Sequence, residues 1–138
     1  MSSGKRVVFD TSTLISAVLK PQSVPAQALS WAWEVAELIV SEATLLELQT
    51  VLGRDRFDAY RALAARQEFF VNYQAMTSLV EVSAEVQACR DPKDDKFLSL
   101  AVAGGASLIV SSDEDLLTIG QYEGIHILRP VAFLALRD

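Results

Sequence analysis

Four acidic residues, Asp10, Glu47, Asp95 and Asp113, fall at comparable points of the chain's apolar pattern. Asp10 ends the run Val7-Val8-Phe9, and Asp113 comes shortly after Leu108-Ile109-Val110. Glu47 lies roughly two turns into the helical stretch that follows Leu38-Ile39-Val40, and Asp95 about one turn into a stretch opened by Asp91-Pro92. In an open parallel sheet, ligands bind beyond the carboxyl ends of the strands, and right-handed crossovers bring successive strand ends to one edge. Carboxylates gathered there repel one another and hold protons to higher pH. A bound Mg²⁺ or Mn²⁺ removes that conflict, lowers the pKa of water and offsets charge building on a phosphodiester. An all-oxygen, histidine-poor set favours those ions over Zn²⁺. The chemistry this pattern supports is metal-assisted hydrolysis of a phosphate diester.

Each acid also has a local explanation. Asp91 and Asp113 can be helix N-caps, and Asp94, Glu114 and Asp115 first-turn acids that suit the helix dipole. Glu47 can be a solvated helix acid. Asp10 is harder to explain this way, because a carboxylate ending a buried strand is desolvated unless something binds it. His126 has no second histidine to complete a zinc pair, and Cys89 has no base beside it. Trp31 and Trp33 read as packing residues on an amphipathic helix. Arg54, Arg56, Arg61 and Arg66 form either a solvated helix face or a track for RNA, diluted by Asp55 and Asp58.

The elements that must position these groups follow from periodicity and capping. Strands are expected at residues 7–9, 38–40, 80–82, 108–110 and 125–128, each short and apolar. Helices are expected from about 14 to 19, from Pro25 to about 35, over 42–52 behind Ser41, from 56 to about 73, over 93–103, over 114–119, and from Pro130 to 136. Thr11, Ser12 and Thr13 are candidate caps for the first, and Gly104-Gly105 stops the fifth. Short apolar strands alternating with helices imply a three-layer α/β/α sandwich around a parallel sheet of about five strands.

Composition sets the outer bounds. The 138 residues are the length of one domain, taken as 1–138, and 51% hydrophobic content is ample for a core without staples. One cysteine excludes an internal disulfide and suits a reducing cytoplasm. Met1-Ser-Ser-Gly-Lys-Arg has no secretory signature, and the longest uncharged run, broken by Gly104-Gly105, is too short to span a bilayer. The expectation is a cytoplasmic protein with no membrane partner. A formal net charge of −6 argues against nucleic-acid binding by bulk electrostatics alone.

Four segments in order carry a family resemblance. They are Val7 to Ser16 (VVFDTSTLIS), Ser41 to Leu48 (SEATLLEL), Asp91 to Leu98 (DPKDDKFL) and Val110 to Leu117 (VSSDEDLL). Together they resemble the PIN domain family, and most closely its VapC-like branch of bacterial toxins from toxin–antitoxin pairs. The resemblance covers nearly the whole chain. It implies a PIN-like fold, Mg²⁺- or Mn²⁺-dependent endoribonuclease activity, an RNA substrate, neutralisation by a cognate antitoxin, and side-by-side homodimers. Carried over by position, it makes Asp10, Glu47, Asp95 and Asp113 catalytic, with Asp10, Asp95 and Asp113 on the metal and Asp94 and Asp115 as supplementary ligands. Thr11 and Ser12 would orient Asp10, although the family often has asparagine where this chain has Ser12. Arg54, Arg61 and Lys96 are candidate RNA contacts. The Trp31-Ala32-Trp33 helix and the Val131-Ala132-Phe133-Leu134 segment are candidates for the dimer contact.

Other classes with acids above a parallel sheet fit less well. A phosphorylatable receiver module needs a second acid near the first strand's end and a lysine after the last strand, where this chain has Thr11-Ser12 and Arg129-Pro130. A haloacid-dehalogenase-like phosphatase needs an acid at the position of Ser12. The remaining rivals are a module of the same fold that binds metal or nucleic acid but cuts little, and a nuclease directed at DNA.

Overall fold

A computed structural model describes residues 5–137, so the reading of Met1-Ser-Ser-Gly as free of a secretory signature lies outside the described residues. In chain order the elements are β1 (Arg6–Phe9), α1 (Thr11–Leu19), α2 (Val24–Val35), β2 (Glu37–Val40), α3 (Glu42–Leu52), α4 (Leu63–Met76) and β3 (Ser78–Leu79). There follow α5 (Asp95–Gly104), β4 (Leu108–Val110), α6 (Glu114–Ile119), β5 (Gln121–Tyr122), β6 (Ile125–Leu128) and α7 (Pro130–Leu134). Single 3₁₀ turns occupy Asp55–Phe57 and Pro92–Asp94.

The strands form one sheet in the order β3-β2-β1-β4-β6-β5. β3, β2, β1, β4 and β6 are parallel, and β5 runs antiparallel to β6 at the edge. Side chains alternate across it, as the two-residue repeat of a strand requires. Val7, Phe9, Leu38, Val40 and Val110 join α1, α2, α3, α4 and α7 on one face, whereas Val8, Ile39 and Ile109 join α5 and α6 on the other. The architecture is the expected three-layer α/β/α sandwich, with six strands rather than about five.

Capping fixes where the helices start. Ser23 accepts from the Ala26 N–H ahead of α2, with Pro25 already inside the first turn. Ser41 and Thr44 satisfy each other's backbone N–H groups at the start of α3. The cap of α1 is Asp10 itself, with Thr11 already helical. At the end of α5, a Cβ on Gly104 would come within 2.4 Å of the Ile39 side chain, so glycine lets this helix close on β2 without displacing that side chain.

Two expectations need correction. The helix expected over about 56–73 is broken: a 3₁₀ turn and a loop precede α4, which starts at Leu63. The third strand sits at Ser78–Leu79, with a single further ladder bond from the Val80 N–H to the Val40 carbonyl. β5 was not anticipated; it arises because Glu123 and Gly124 both take positive φ (48° and 83°) and close a two-residue hairpin. In the segments considered for a dimer contact, Trp31 packs on Phe133 (4.9 Å between ring centroids) and Trp33 on Tyr73 (5.7 Å), while Val131 and Ala132 are exposed. Among the described residues, no helix is long and apolar enough to cross a membrane.

Candidate metal centre

β1 and β4 are neighbours in register, Phe9 opposite Val110, so the residues that follow each strand meet at the carboxyl edge. The first is Asp10, only 2% exposed, and its carboxylate is fully engaged. Oδ1 accepts from the Thr13 N–H (2.9 Å), Ser12 Oγ lies 3.2 Å from both oxygens, and Ser111 Oγ donates to Oδ2 at 2.5 Å. Ser111 also accepts from the Asp113 N–H at 2.9 Å, so one hydroxyl couples the two strand-end acids. Burial pushes the Asp10 carboxyl above the usual range, and the donors from Ser111, Thr13 and Ser12 pull part of the way back. Ser111 is not among the candidate site residues of the sequence. Its place directly after β4, beside the end of β1, is the signal that could have found it.

Thr11 does not orient Asp10. Its hydroxyl donates to Glu47 Oε1 at 2.5 Å and so fixes the acid of α3, while Ser12 alone of the expected pair touches Asp10. Lys96 Nζ lies 3.0 Å from the other Glu47 oxygen, Oε2. Lys96 is therefore engaged with a carboxylate, whatever else it contacts.

The larger surprise concerns two adjacent aspartates. Asp10, Glu47 and Asp113 line one cavity of about 600 Å³, and the carboxylate that joins them there is Asp94, not Asp95. Asp95 begins α5 on the opposite side. Its Oδ1 accepts from the backbone N–H groups of Cys89 (2.7 Å) and Ala88 (3.0 Å), and it lines a separate cavity of about 880 Å³ with Glu42, Val80 and Val86. Desolvation acts to raise the Asp95 pKa, but these donors outweigh it and leave the group below its ordinary value. The expectation that Asp95 would stand beside Asp10 and Asp113 is thus not met geometrically. Successive helical positions point about 100° apart, and the 3₁₀ turn at Pro92–Asp94 sets the phase so that Asp94 faces the cavity.

Asp94 has the properties of an anion awaiting a cation. It is 9% exposed, and its Oδ2 is buried with no hydrogen-bond partner. Burial first, then the charges of Asp113, Asp91, Asp10 and Asp115, push its pKa to about 7. One oxygen each from Asp91, Asp94 and Asp115 also lies within 4.8 Å of the others. Arg90 already pairs with Asp115. Asp10, Asp94 and Asp113 have no Lys or Arg partner among the described residues. A donor set of buried and half-buried carboxylates, one with an orphaned oxygen, suits a hard divalent cation. Asp94 would take part in holding it: Asp91 and Asp115 each place an oxygen within 4.8 Å of one of its own, and Asp10 and Asp113 line the same cavity.

Basic residues are unevenly placed about this cavity. Arg54 and Arg56, two of the four arginines of the candidate RNA track, line it, together with Lys20 and Tyr60, which were not anticipated. Arg61 does not. Its Nη1 donates to the Val18 carbonyl at 2.9 Å, and the side chain lines a small cavity beside α2. Arg66 is completely buried.

Comparison with known proteins gives the family and the fold. The profile of the PIN domain matches residues 6–115. An uncharacterized protein of Methanocaldococcus jannaschii is 26% identical over 118 residues, covering 83% of this chain and 74% of that protein. Among solved structures, a Pyrobaculum aerophilum protein superposes with a TM-score of 0.66 at 16% identity, over 96% of this chain and 89% of that one. VapBC2 of Rickettsia felis, solved with a DNA fragment from their promoter, gives 0.61 at 13% identity over 90% and 98%. VapC20 of Mycobacterium tuberculosis, a sarcin-ricin loop cleaving toxin, gives 0.55 at 17% over 85% and 97%. At such identities the structural likenesses speak to fold alone. The profile match spans most of the chain, including all four acids that line the cavity, and the chain belongs to the PIN domain family.

Proposed function

We propose that this protein is a Mg²⁺- or Mn²⁺-dependent endoribonuclease, the toxin component of a toxin–antitoxin pair acting on RNA in the cytoplasm. The observation that carries the nuclease reading is Asp94: a buried carboxylate oxygen without a partner, in one cavity with Asp10, Glu47 and Asp113. Asp10, Asp94 and Asp113 are the proposed ligands, with Asp115 and Asp91 supplementary. The bound cation would supply electrostatic stabilisation of the phosphoryl oxygens and acidify water. Ser111 keeps Asp10 and Asp113 in register, and Ser12 and the Thr13 N–H hold Asp10 ready for the ion. Glu47, oriented by Thr11 and neutralised in part by Lys96, stands beside that centre as the group able to accept a proton from an attacking water. RNA as substrate and an antitoxin as partner are supported by likeness of fold to VapC20 and VapBC2, and a homodimer belongs to the same proposal. The antitoxin and dimer are tested by co-purification with the neighbouring gene's product and by sedimentation at micromolar concentration.

The nuclease reading is tested with a labelled RNA pool in Mg²⁺, Mn²⁺ or EDTA, beside Asp10→Asn. Cleavage that needs metal and falls by about 10³-fold in the variant is expected. Cleavage that persists in EDTA, or unchanged in Asp10→Asn, contradicts it. Binding of metal without cleavage of RNA or DNA would favour the binding module.

A further inference from the structure

Residues 53–62, between α3 and α4, look like an ordinary surface connection, yet they are heavily anchored. Arg66, fully buried on α4, donates from Nε to the Arg61 carbonyl (2.9 Å), from Nη1 to the carbonyls of Leu52 (2.5 Å) and Arg54 (3.1 Å), and from Nη2 to the Asp58 carboxylate. Phe57 inserts into the core, and Arg61 ties the far end of the loop to the Val18 carbonyl at the end of α1. A buried guanidinium is a poor device for stability alone, since apolar packing of similar volume serves as well or better. What its planar fork of donors does supply is a fixed backbone course.

That course presents three exposed side chains to the cavity that holds Asp10 and Asp94: Arg54, Arg56 and Tyr60. Neither arginine has a carboxylate partner among the described residues. The Arg56 guanidinium lies 4.8 Å from the Phe57 ring centroid, and Tyr60 is 64% exposed. The cavity therefore has an acidic end and a cationic, aromatic end. A polyanionic strand is repelled by the first and needs the second. An exposed ring binds the face of a base, which is free only where the base is not stacked in a duplex.

We propose that residues 53–62 form a nucleotide subsite beside the acid cluster. Arg54 and Arg56 take phosphates of the bound strand, Tyr60 stacks one unpaired base, and Arg66 is the positioning residue that holds all three in place. The identity of the strand as RNA rests on the nuclease reading above; the subsite itself does not. Binding, not cleavage, is the readout. A short labelled single-stranded RNA is titrated by fluorescence anisotropy into Asp10→Asn protein with Mg²⁺ present, so that the strand stays intact. Adding Tyr60→Ala should weaken binding about tenfold, with Tyr60→Phe within about twofold of the parent. Arg54→Ala and Arg56→Ala should each lower the dependence of log K on log salt by about 0.7. The corresponding duplex should be indifferent to Tyr60→Ala. Arg66→Lys, which keeps the charge but loses the fork, should weaken RNA binding severalfold in that background, while the same substitution in protein that retains Asp10 leaves Mn²⁺ affinity unchanged. Tyr60→Ala or paired arginine variants that bind as tightly as the parent overturn the subsite, even if the wild type cleaves RNA. So does a parent that binds no single-stranded RNA. Tyr60-dependent binding in a protein whose wild type shows no metal-dependent cleavage would support the subsite and remove only the nuclease reading.

Discussion

The two ends of the cavity are built on different principles. The acidic end is a product of the sheet: Asp10 and Asp113 follow adjacent parallel strands, and Ser111 couples them through a single hydroxyl. The cationic end is a product of one buried side chain, Arg66, which overrides the helical tendency of residues 53–62 and holds them as a loop. Strand ends are a strong constraint, because moving Asp10 would disturb the central strand of the sheet. A loop held largely through the backbone carbonyls of Leu52, Arg54 and Arg61 can change its exposed side chains without touching the core. The acidic end is thus suited to a fixed chemistry and the loop to variable recognition.

That contrast can be broken first where it should be strongest. Arg66→Met strands the carbonyls of Leu52, Arg54 and Arg61, each costing about 1 kcal/mol or more when left unpaired, so a loss of roughly 2–4 kcal/mol is expected by denaturant unfolding. A loss below about 1 kcal/mol would mean that the loop does not depend on the buried arginine. At the acidic end the expected sign is opposite. In the folded, metal-free protein Asp94 keeps its proton up to about pH 7, whereas the unfolded chain loses it near 3.8. Between these values the folded state binds more protons, so this contribution is fully present below about pH 3.8 and is lost as pH rises through 7. Asp94→Asn in EDTA should melt several degrees above the parent at pH 8 and level with it near pH 4 (roughly 1–2 kcal/mol at the higher pH). A variant less stable at pH 8 would show that the cluster carries no repulsion to relieve. The smallest effect sharpens the role of Arg66. Asp58→Ala removes a partner that is 60% exposed, and should cost less than about 1 kcal/mol because water replaces it.

Legibility in the sequence followed the same division. Asp10 and Asp113 stand at the ends of short apolar runs, and their juxtaposition follows from the parallel sheet that those runs imply. The helix of Glu47 announces its own start through Ser41 and Thr44. Asp94 and Asp95 could not be told apart in this way. The run Asp91-Pro92-Lys93-Asp94-Asp95 opens with a 3₁₀ turn, and a shift of one residue turns a side chain by about 100°. The break at residues 53–62 depends on where the Arg66 guanidinium is buried, which is a tertiary fact invisible to periodicity. β5 was hidden for a related reason, since Glu123 at positive φ is not a residue type that advertises a tight hairpin turn.

Asp94, rather than its neighbour Asp95, is the proposed ligand that completes a cation site with Asp10 and Asp113. Calorimetric titration of Mn²⁺ into the wild type, Asp94→Asn and Asp95→Asn at pH 8 tests it directly. The expected result is a loss of at least about tenfold in affinity for Asp94→Asn, with Asp95→Asn within about twofold of the wild type. Weakened binding in Asp95→Asn with Asp94→Asn unaffected would contradict the assignment.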